Sequence, residues 1–268
     1  MNHIEISQLL IYPIKSTQGV PLDASLVQQI GLKNDRTFAI IDTANNIITG
    51  RENPKLLKIT ARLTEEGLRL TSNEDSTIDI DPNNSELEEV STILFKNEVK
   101  GLLIKDEINQ WISDVIGEPA KLIQLNTSHL RTVKEKYNGK EGDVFAFDDA
   151  APINLMTEES LAQVNHALQR PVGSLQFRPN IIVKGGEAFE EDHWKYLKIG
   201  NCEFEKATET ARCSFINIDP KTFLKDKDHE PLKTLSKIRK SGNKVKFGIY
   251  LIPRKLGQIK VGDEVEVL

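Results

Sequence analysis

A chain of 268 residues suits one large globular domain or two smaller ones, and its net charge of −5 argues against a nucleic-acid polymer as partner. No stretch approaches the about 18 apolar residues of a transmembrane helix, and the first residues lack the pattern of a signal peptide. We therefore expect a cytoplasmic protein without a transmembrane segment. The two cysteines, Cys202 and Cys213, exclude a disulfide framework and a four-cysteine zinc or iron–sulfur site.

Short strands fill the first part of the chain. Alternation of apolar and polar residues predicts strands over 4–14, 22–29, 37–42, 57–63, 67–71, 77–80 and 120–125. Lys15 and Ser16 follow the first strand and precede Gly19, a group that can bind an anion. Taken alone, a solvated turn is the simpler interpretation of these residues. So many short strands at close spacing predict an antiparallel barrel or sandwich.

Three helices are predicted among the strands. Apolar residues at i, i+3 and i+4 predict helices over 106–116, 158–169 and 231–240. Thr157 is placed to cap the second helix. Further strands are predicted over 181–183, 194–207, 245–252 and 264–267, the second of these as a hairpin around Gly200.

The segment 126–142 has no apolar periodicity and carries several basic side chains, namely His129, Arg131, Lys134, Lys136 and Lys140. By default it is a solvated loop. Functional loops also close over ligands, and a basic loop suits an anionic one. We take this segment as the region of a domain boundary.

Cys213 stands next to Arg212 in a run of strand-forming residues that ends in an acidic turn. A neighbouring cation tends to lower the pKa of a thiol, and thiolate is the form that ligates soft metals. Most free cysteines are small buried apolar residues, and the local sequence favours that interpretation. Cys202 lies in an alternating stretch, where packing is its expected role.

Five groups of residues occur in a recognisable order: Tyr12-Pro13-Ile14-Lys15-Ser16, Asp35-Arg36, Phe177-Arg178-Pro179-Asn180, Arg212-Cys213 with Asp219-Pro220, and Phe247-Gly248 with Gly257 and Val261-Gly262-Asp263. Together they resemble the MOSC-domain proteins of the mitochondrial amidoxime-reducing component family and its bacterial relatives. The resemblance implies a mixed α+β, predominantly β fold. An N-terminal MOSC-associated β-barrel domain is expected over 1–125, and a MOSC domain, a β-barrel with a few helices, over 126–268.

The resemblance also implies a molybdenum cofactor, whose metal is held by a pterin dithiolene and one protein cysteine, matched by Cys213. The residues implied for the pterin and its phosphate are Lys15, Ser16, Arg36, Asp149, Thr157, Arg178, Asn180, Arg212 and Cys213. Asn217 and Asp219 lie close enough in sequence to Cys213 to act beside the metal or to relay protons, although turn structure explains Asp219 equally well.

The chain departs from the family pattern at Asp148-Asp149-Ala150-Ala151-Pro152, where several relatives carry hydroxyl residues before the proline. Two phosphate-facing hydroxyls are therefore expected to be missing, with backbone amides or Thr157 in their place.

The activity implied is the reduction of N-hydroxylated compounds, such as amidoximes and hydroxylamino bases. With two cysteines the chain lacks the ligands of an iron–sulfur cluster, so a separate electron donor is expected: a ferredoxin, a flavodoxin or a cytochrome b5-like protein with its reductase. Two alternatives stay open. One is a carrier of the molybdenum cofactor or of sulfur without reductase activity, and the other is an anion-binding β-barrel without a metal.

Overall fold

The structure, a computed structural model, describes residues 3–72, 76–81, 88–94, 97–104 and 106–268, without the side chain of residue 106. Its described residues form three α-helices, α1 (Asp106–Ile116), α2 (Glu158–His166) and α3 (Leu232–Ile238). They also form strands β1 (Glu5–Ile11), β2 (Val20–Leu22), β3 (Ala24–Gln28), β4 (Gly31–Leu32), β5 (Phe38–Ile41), β6 (Ile59–Leu63), β7 (Leu68–Ser72), β8 (Thr77–Ile80), β9 (Glu89–Leu94), β10 (Asn97–Leu103), β11 (Lys121–Leu125), β12 (Arg131–Thr132), β13 (Val144–Phe145), β14 (Ile153–Thr157), β15 (Ile181–Lys184), β16 (Tyr196–Ile199), β17 (Cys202–Arg212), β18 (Lys240–Ser241), β19 (Lys244–Lys255), β20 (Gly257–Lys260) and β21 (Val265–Val267). The predicted mixed α+β, predominantly β class is confirmed.

The largest sheet of the described residues runs in the order β2-β1-β15-β14-β19-β17-β16-β21, with β18 paired to β19. Its neighbours are antiparallel except β14 and β15, which are parallel. The longest strands, β17 and β19, form the ladder that carries the Arg212–Cys213 end of β17. One face of this sheet buries a core that includes Ile6, Leu155 and Phe204. Long central strands with a dry face give the rigid frame on which a site is positioned.

Residues from the first half of the chain build two smaller sheets, β5-β11-β10-β9 and β6-β7-β8. Helix α1 closes one side of them, because its apolar stripe at Ile108, Ile112 and Ile116 packs into a core with Leu122. The helix has the predicted bounds and is followed by Gly117, whose φ of +77° suits a residue without a side chain.

The two halves of the chain share strands. Strand β1 lies between β2 and β15 in the large sheet, and β3 pairs with β20. The N-terminal strands thus contribute to a sheet built mainly from the C-terminal half. The division into domains 1–125 and 126–268 stays a prediction.

Some elements differ from the prediction. Strands β9, β10, β14 and β20 were not predicted, and helix α2 ends at His166 rather than near residue 169. All five residues of β14 are buried, so it shows no alternation of polar and apolar residues. The segment predicted as a loop contains β12 and a 3-10 turn over Glu135–Tyr137. Within the described part of the chain, no helix combines the length and apolar character needed to span a bilayer.

Candidate functional site

A cavity of about 1220 Å³ opens where the end of β1, the turn before β15 and the end of β17 meet. Seven residues predicted for the cofactor line it: Lys15, Ser16, Arg36, Asp149, Arg178, Arg212 and Cys213. These residues are far apart in sequence. Arg212 ends β17, and the others lie in turns beside β1, β5, β14, β15 and β17, of which all but β5 belong to the large sheet.

Cys213 lies one residue beyond β17, where the chain leaves the strand and enters a 3-10 turn over Ser214–Asn217. Its side chain is exposed and lines the cavity. The interpretation of Cys213 as a buried strand residue is therefore wrong. Cys202, in contrast, is fully buried in the core of the large sheet, as predicted.

Arg212 is fixed beside the thiol by backbone carbonyl groups. Its Nε donates to the carbonyl of Phe247 at 2.8 Å, and Nη1 donates to that of Phe177 at 2.7 Å. Burial lowers the pKa of this guanidinium to about 10, so it remains charged at neutral pH. The geometry depends on Gly248, whose φ is +73°, because a Cβ there would lie 2.6 Å from the carbonyl oxygen of Leu155.

Arg36 and Arg178 flank one buried aromatic ring. Their guanidinium carbons lie 4.6 Å and 4.1 Å from the centroid of Tyr12, which suits cation–π contacts. Both arginines and Ser16 have positive φ values, of 48°, 52° and 70°. Such backbone conformations cost about 1 kcal/mol or more for residues other than glycine, so three strained residues line the cavity. Arg178 Nη2 is buried and has no hydrogen-bond partner among the described residues, which leaves a donor for an anion.

Two carboxylates oppose this basic cluster. Lys15 Nζ lies 2.6 Å from Asp149 Oδ1, and Arg36 Nε lies 3.2 Å from Asp148 Oδ1. Burial lowers the pKa of Lys15 and raises that of Asp148 well above its usual range. Asp148 Oδ2 is buried without a hydrogen-bond partner among the described residues. The sequence lacks the hydroxyl residues that several relatives carry before Pro152. At that position the carboxyl groups of Asp148 and Asp149 line the cavity.

Four predicted site residues lie outside the cavity lining: Thr157, Asn180, Asn217 and Asp219. Thr157 caps α2 by accepting from the amide of Ser160 at 3.0 Å. Asn217 accepts from the amide of Leu232 at 3.1 Å, and Asp219 accepts from that of Lys221 at 2.8 Å. Asn217 and Asp219 therefore stabilise the backbone of the segment after Cys213, and Thr157 caps the N-terminus of α2.

Asn180 supports the site from behind. It is fully buried, and its Oδ1 accepts from Arg36 Nη1 at 3.0 Å and from the amide of Asn154 at 3.0 Å. It therefore positions an arginine, whereas the sequence suggested a direct contact with the pterin.

Several lining residues lie outside the set predicted for the cofactor, among them Arg131, Asp148, Asn154 and Tyr250. Arg131 belongs to the basic segment that was expected either as a solvated loop or as one that closes over an anionic ligand. Burial raises the pKa of the Tyr250 hydroxyl, so it stays protonated at neutral pH. Asn154 and Tyr250 are paired in the β14–β19 ladder, and this pairing is what brings both to the cavity. Asp148 stands beside the predicted Asp149, and the acidic pair was the available signal.

The donor set fits a molybdenum cofactor. The cavity offers one exposed thiol, a fixed guanidinium beside it and an unsatisfied arginine donor. The described residues contain no group of three histidine, cysteine or acidic side chains that can hold an ion. A metal bound at Cys213 would therefore take its other ligands from a cofactor, and a phosphate would meet the basic cluster.

The matches to known families agree with the predicted resemblance. Residues 3–119 match the MOSC N-terminal beta barrel domain, and residues 142–266 match the MOSC domain. The chain is 33% identical to mitochondrial amidoxime reducing component 2 of Rattus norvegicus over 97% of this chain and 82% of that protein. It is 32% identical to mitochondrial amidoxime-reducing component 1 of Danio rerio, over 97% of this chain and 83% of that protein. It is 31% identical to mitochondrial amidoxime-reducing component 1 of Homo sapiens, over 98% of this chain and 82% of that protein. The chain belongs to the MOSC-domain family of the mitochondrial amidoxime-reducing components.

Proposed function

We propose that this protein is a molybdenum-cofactor-dependent reductase of N-hydroxylated compounds, including amidoximes and hydroxylamino bases. Relatives named amidoxime-reducing components support a reductive activity. The observation that carries the proposal is the exposed Cys213 thiol at the cavity wall, beside the fixed Arg212 and within the same cavity as Lys15 and Arg178.

Each part of the cavity has a role in binding the cofactor. Cys213 supplies the protein ligand to the metal, and the fixed guanidinium of Arg212 lies next to it. Arg178 and Lys15, with the hydroxyl of Ser16, bind the phosphate of the pterin. When bound, the molybdenum cofactor supplies the two-electron reducing chemistry.

The overall reaction takes two electrons and two protons, breaks the N–O bond and releases water. Tyr250 can supply a proton from the cavity wall. Burial raises the pKa of its hydroxyl, which therefore stays protonated at neutral pH, and burial also raises the pKa of Asp148. Both residues lie in the lining, where the Tyr250 hydroxyl can donate a hydrogen bond to a leaving oxygen.

Electrons come from a separate redox protein, a ferredoxin, a flavodoxin or a cytochrome b5-like protein with its reductase. Two cysteines, one of them in the core, cannot ligate an iron–sulfur cluster.

Turnover with a chemical electron donor tests this function. Protein made in a host that synthesises the cofactor is given reduced methyl viologen and benzamidoxime, and benzamidine is measured. We expect turnover by the wild type and by the core variant Cys202→Ala, and a loss of at least about 100-fold in Cys213→Ser because a metal ligand is removed. Bound molybdenum without any turnover would favour the alternative, a carrier of cofactor or sulfur.

A further inference from the structure

The cavity has a second group of cations at its mouth. Lys134, Lys136 and Lys244 line the cavity and are exposed, with the ring of Tyr137 among them. We call these four residues the cationic mouth. The cations of the inner cluster differ, since Lys15 and Arg36 are buried. The mouth therefore lies at the solvent side of the cavity, whereas Lys15 and Arg36 lie at its buried wall.

Tyr137 holds two of the ammonium groups near one another. Lys136 Nζ lies 5.0 Å and Lys244 Nζ 5.7 Å from the centroid of its ring, within reach of cation–π attraction. The two lysines come from different elements, the 3-10 turn over Glu135–Tyr137 and the start of β19. Like charges brought together in this way repel each other unless an anion binds between them.

Charge pairing differs between the mouth and the residues beneath it. Lys140 pairs with Glu205 at 2.7 Å, and Lys246 pairs with Glu209 at 2.9 Å. The three lysines of the cationic mouth form no ion pair with any residue that the structure describes. The positive potential of these three lysines attracts a negatively charged ligand to the cavity. It is local, because the chain as a whole has a net charge of −5.

The mouth is built on a fixed backbone. Asn138 Nδ2 donates to Glu205 Oε1 at 2.9 Å, and Arg254 Nη2 donates to Asp143 Oδ2 at 2.9 Å. Gly139 packs so closely that a Cβ would lie 2.1 Å from the carbonyl oxygen of Val133. Tyr137 itself packs against the core cluster of Val133 and Phe145. The segment that carries the lysines is thus preorganised, which reduces the entropy lost on binding a ligand.

The cavity has room for more than a cofactor. Pockets that enclose a single drug-sized ligand span about 300–1,000 Å³. The volume of about 1220 Å³ exceeds that range, which leaves room for a second ligand beside a cofactor.

We infer that the cationic mouth binds the phosphate of the substrate, and that the preferred substrates are phosphorylated N-hydroxylated compounds, such as 5′-monophosphates of hydroxylamino nucleosides. This rests on the proposed function, because the N–O group must reach the metal while the phosphate lies at the mouth. Lys136 and Lys244 contact the phosphate, and Tyr137 is a positioning residue for both.

The test compares N-hydroxycytidine with its 5′-monophosphate on the loaded enzyme. We expect the wild type to have a KM about tenfold lower for the monophosphate, and the difference to shrink as salt is raised. The double variant Lys136→Gln/Lys244→Gln is expected to lose this preference while keeping its kcat and its KM for the nucleoside. The control is Lys33→Gln/Lys260→Gln, which makes the same charge change at exposed lysines outside the cavity. Calorimetric titration with cytidine 5′-monophosphate gives a second readout that needs no turnover.

Equal KM values for the two compounds would overturn the inference and leave the proposed function standing. An equal loss of preference in the control variant would also overturn it, because general attraction by net charge would then explain the effect. If neither compound is reduced, the proposed function fails. Calorimetric titration of the wild type and of Lys136→Gln/Lys244→Gln with cytidine 5′-monophosphate then tests phosphate binding at the cationic mouth by itself. A nucleotide released from the extracted cofactor would assign the mouth to the cofactor and overturn the inference.

Discussion

At the scale of single residues, Glu191 shows how burial sets the charge of a group outside the cavity. It has no exposed surface, and Ser160 Oγ donates to its Oε2 at 2.8 Å. Thr157 Oγ1 donates to Ser160 Oγ at 2.6 Å, so these three side chains form a chain of hydrogen bonds at the start of α2. Burial raises the pKa of Glu191 to about 7, with a smaller contribution from Asp192 in the same direction.

This shift makes stability depend on pH. Because the pKa of Glu191 is about 7 in the fold and 4.5 ordinarily, the folded state binds more protons between these values. Stability therefore falls as pH rises from about 4.5 to about 7, by at most about 3 kcal/mol. In Glu191→Gln this loss disappears, so the variant is expected to be more stable than wild type at pH 8 and similar to it at pH 4. Urea unfolding at several pH values measures the difference.

The control for this prediction is Glu187→Gln, an exposed residue in the same connection. It is expected to follow the wild type at every pH. If Glu191→Gln also followed the wild type from pH 4 to pH 8, Glu191 would be ionised in the fold at an ordinary pH.

At the scale of elements, one ion-pair cluster ties the segment 131–145 to strands β17 and β19. Arg254 Nε donates to Glu205 Oε2 at 2.7 Å, and the guanidinium of Arg254 also pairs with Asp143. Lys140 and Asn138 donate to the same glutamate. Although burial opposes its charge, these hydrogen bonds hold the pKa of Glu205 at about 2. Glu205 is therefore ionised at neutral pH.

Removing the charge of Glu205 is expected to loosen this segment. Glu205→Gln keeps the side-chain shape and weakens three cationic and amide contacts, so the amides of residues 131–145 should exchange hydrogen about tenfold faster. Hydrogen–deuterium exchange with mass spectrometry measures this. The control is Glu203→Gln, on the same strand, where Glu203 forms a solvent-exposed ion pair with Lys255 at 3.8 Å. Unchanged exchange in Glu205→Gln would mean that apolar packing alone fixes the segment.

Helices and strands whose apolar residues repeat at a regular spacing were predictable from the sequence, and elements without such a repeat were not. Helix α1 and strand β8 have the predicted bounds because their apolar residues repeat at regular spacing. Strand β14 is buried throughout and shows no period. The cavity residues were found as short local groups, yet Asn180 and Arg178 are near neighbours in one such group and only Arg178 lines the cavity. Which way each side chain points is set by the β15 turn and its partners, which local sequence does not contain.

At the scale of the whole molecule, the large sheet depends on the N-terminus. Strand β1 pairs with β15 along one edge, and Ile6, Leu9 and Ile11 belong to the core beneath the sheet. Lys15 and Ser16, which follow β1, enter the cavity from the same strand. The first strand therefore serves the fold and the site together.

The fragment 126–268 is consequently expected not to fold by itself. Without β1, the edge of β15 is unpaired and part of the core is open to water, and β20 loses its partner β3. Thermal denaturation followed by circular dichroism should show no cooperative transition for the fragment. Full-length protein under the same conditions is the reference. A sharp transition in the fragment would show that β12–β21 suffice for a domain.

In the proposed function, Cys213 is the protein ligand of molybdenum. The most direct test is the molybdenum content of protein made in a host that synthesises the cofactor, for wild type, Cys213→Ser and Cys202→Ala, together with the electronic absorption spectrum of each. We expect near-stoichiometric metal in the wild type and in Cys202→Ala, because Cys202 is buried in the core away from the cavity. In Cys213→Ser we expect loss of metal or loss of the absorption that a metal–thiolate bond gives. Wild-type protein without molybdenum, or a Cys213→Ser variant with unchanged metal and spectrum, would contradict the account.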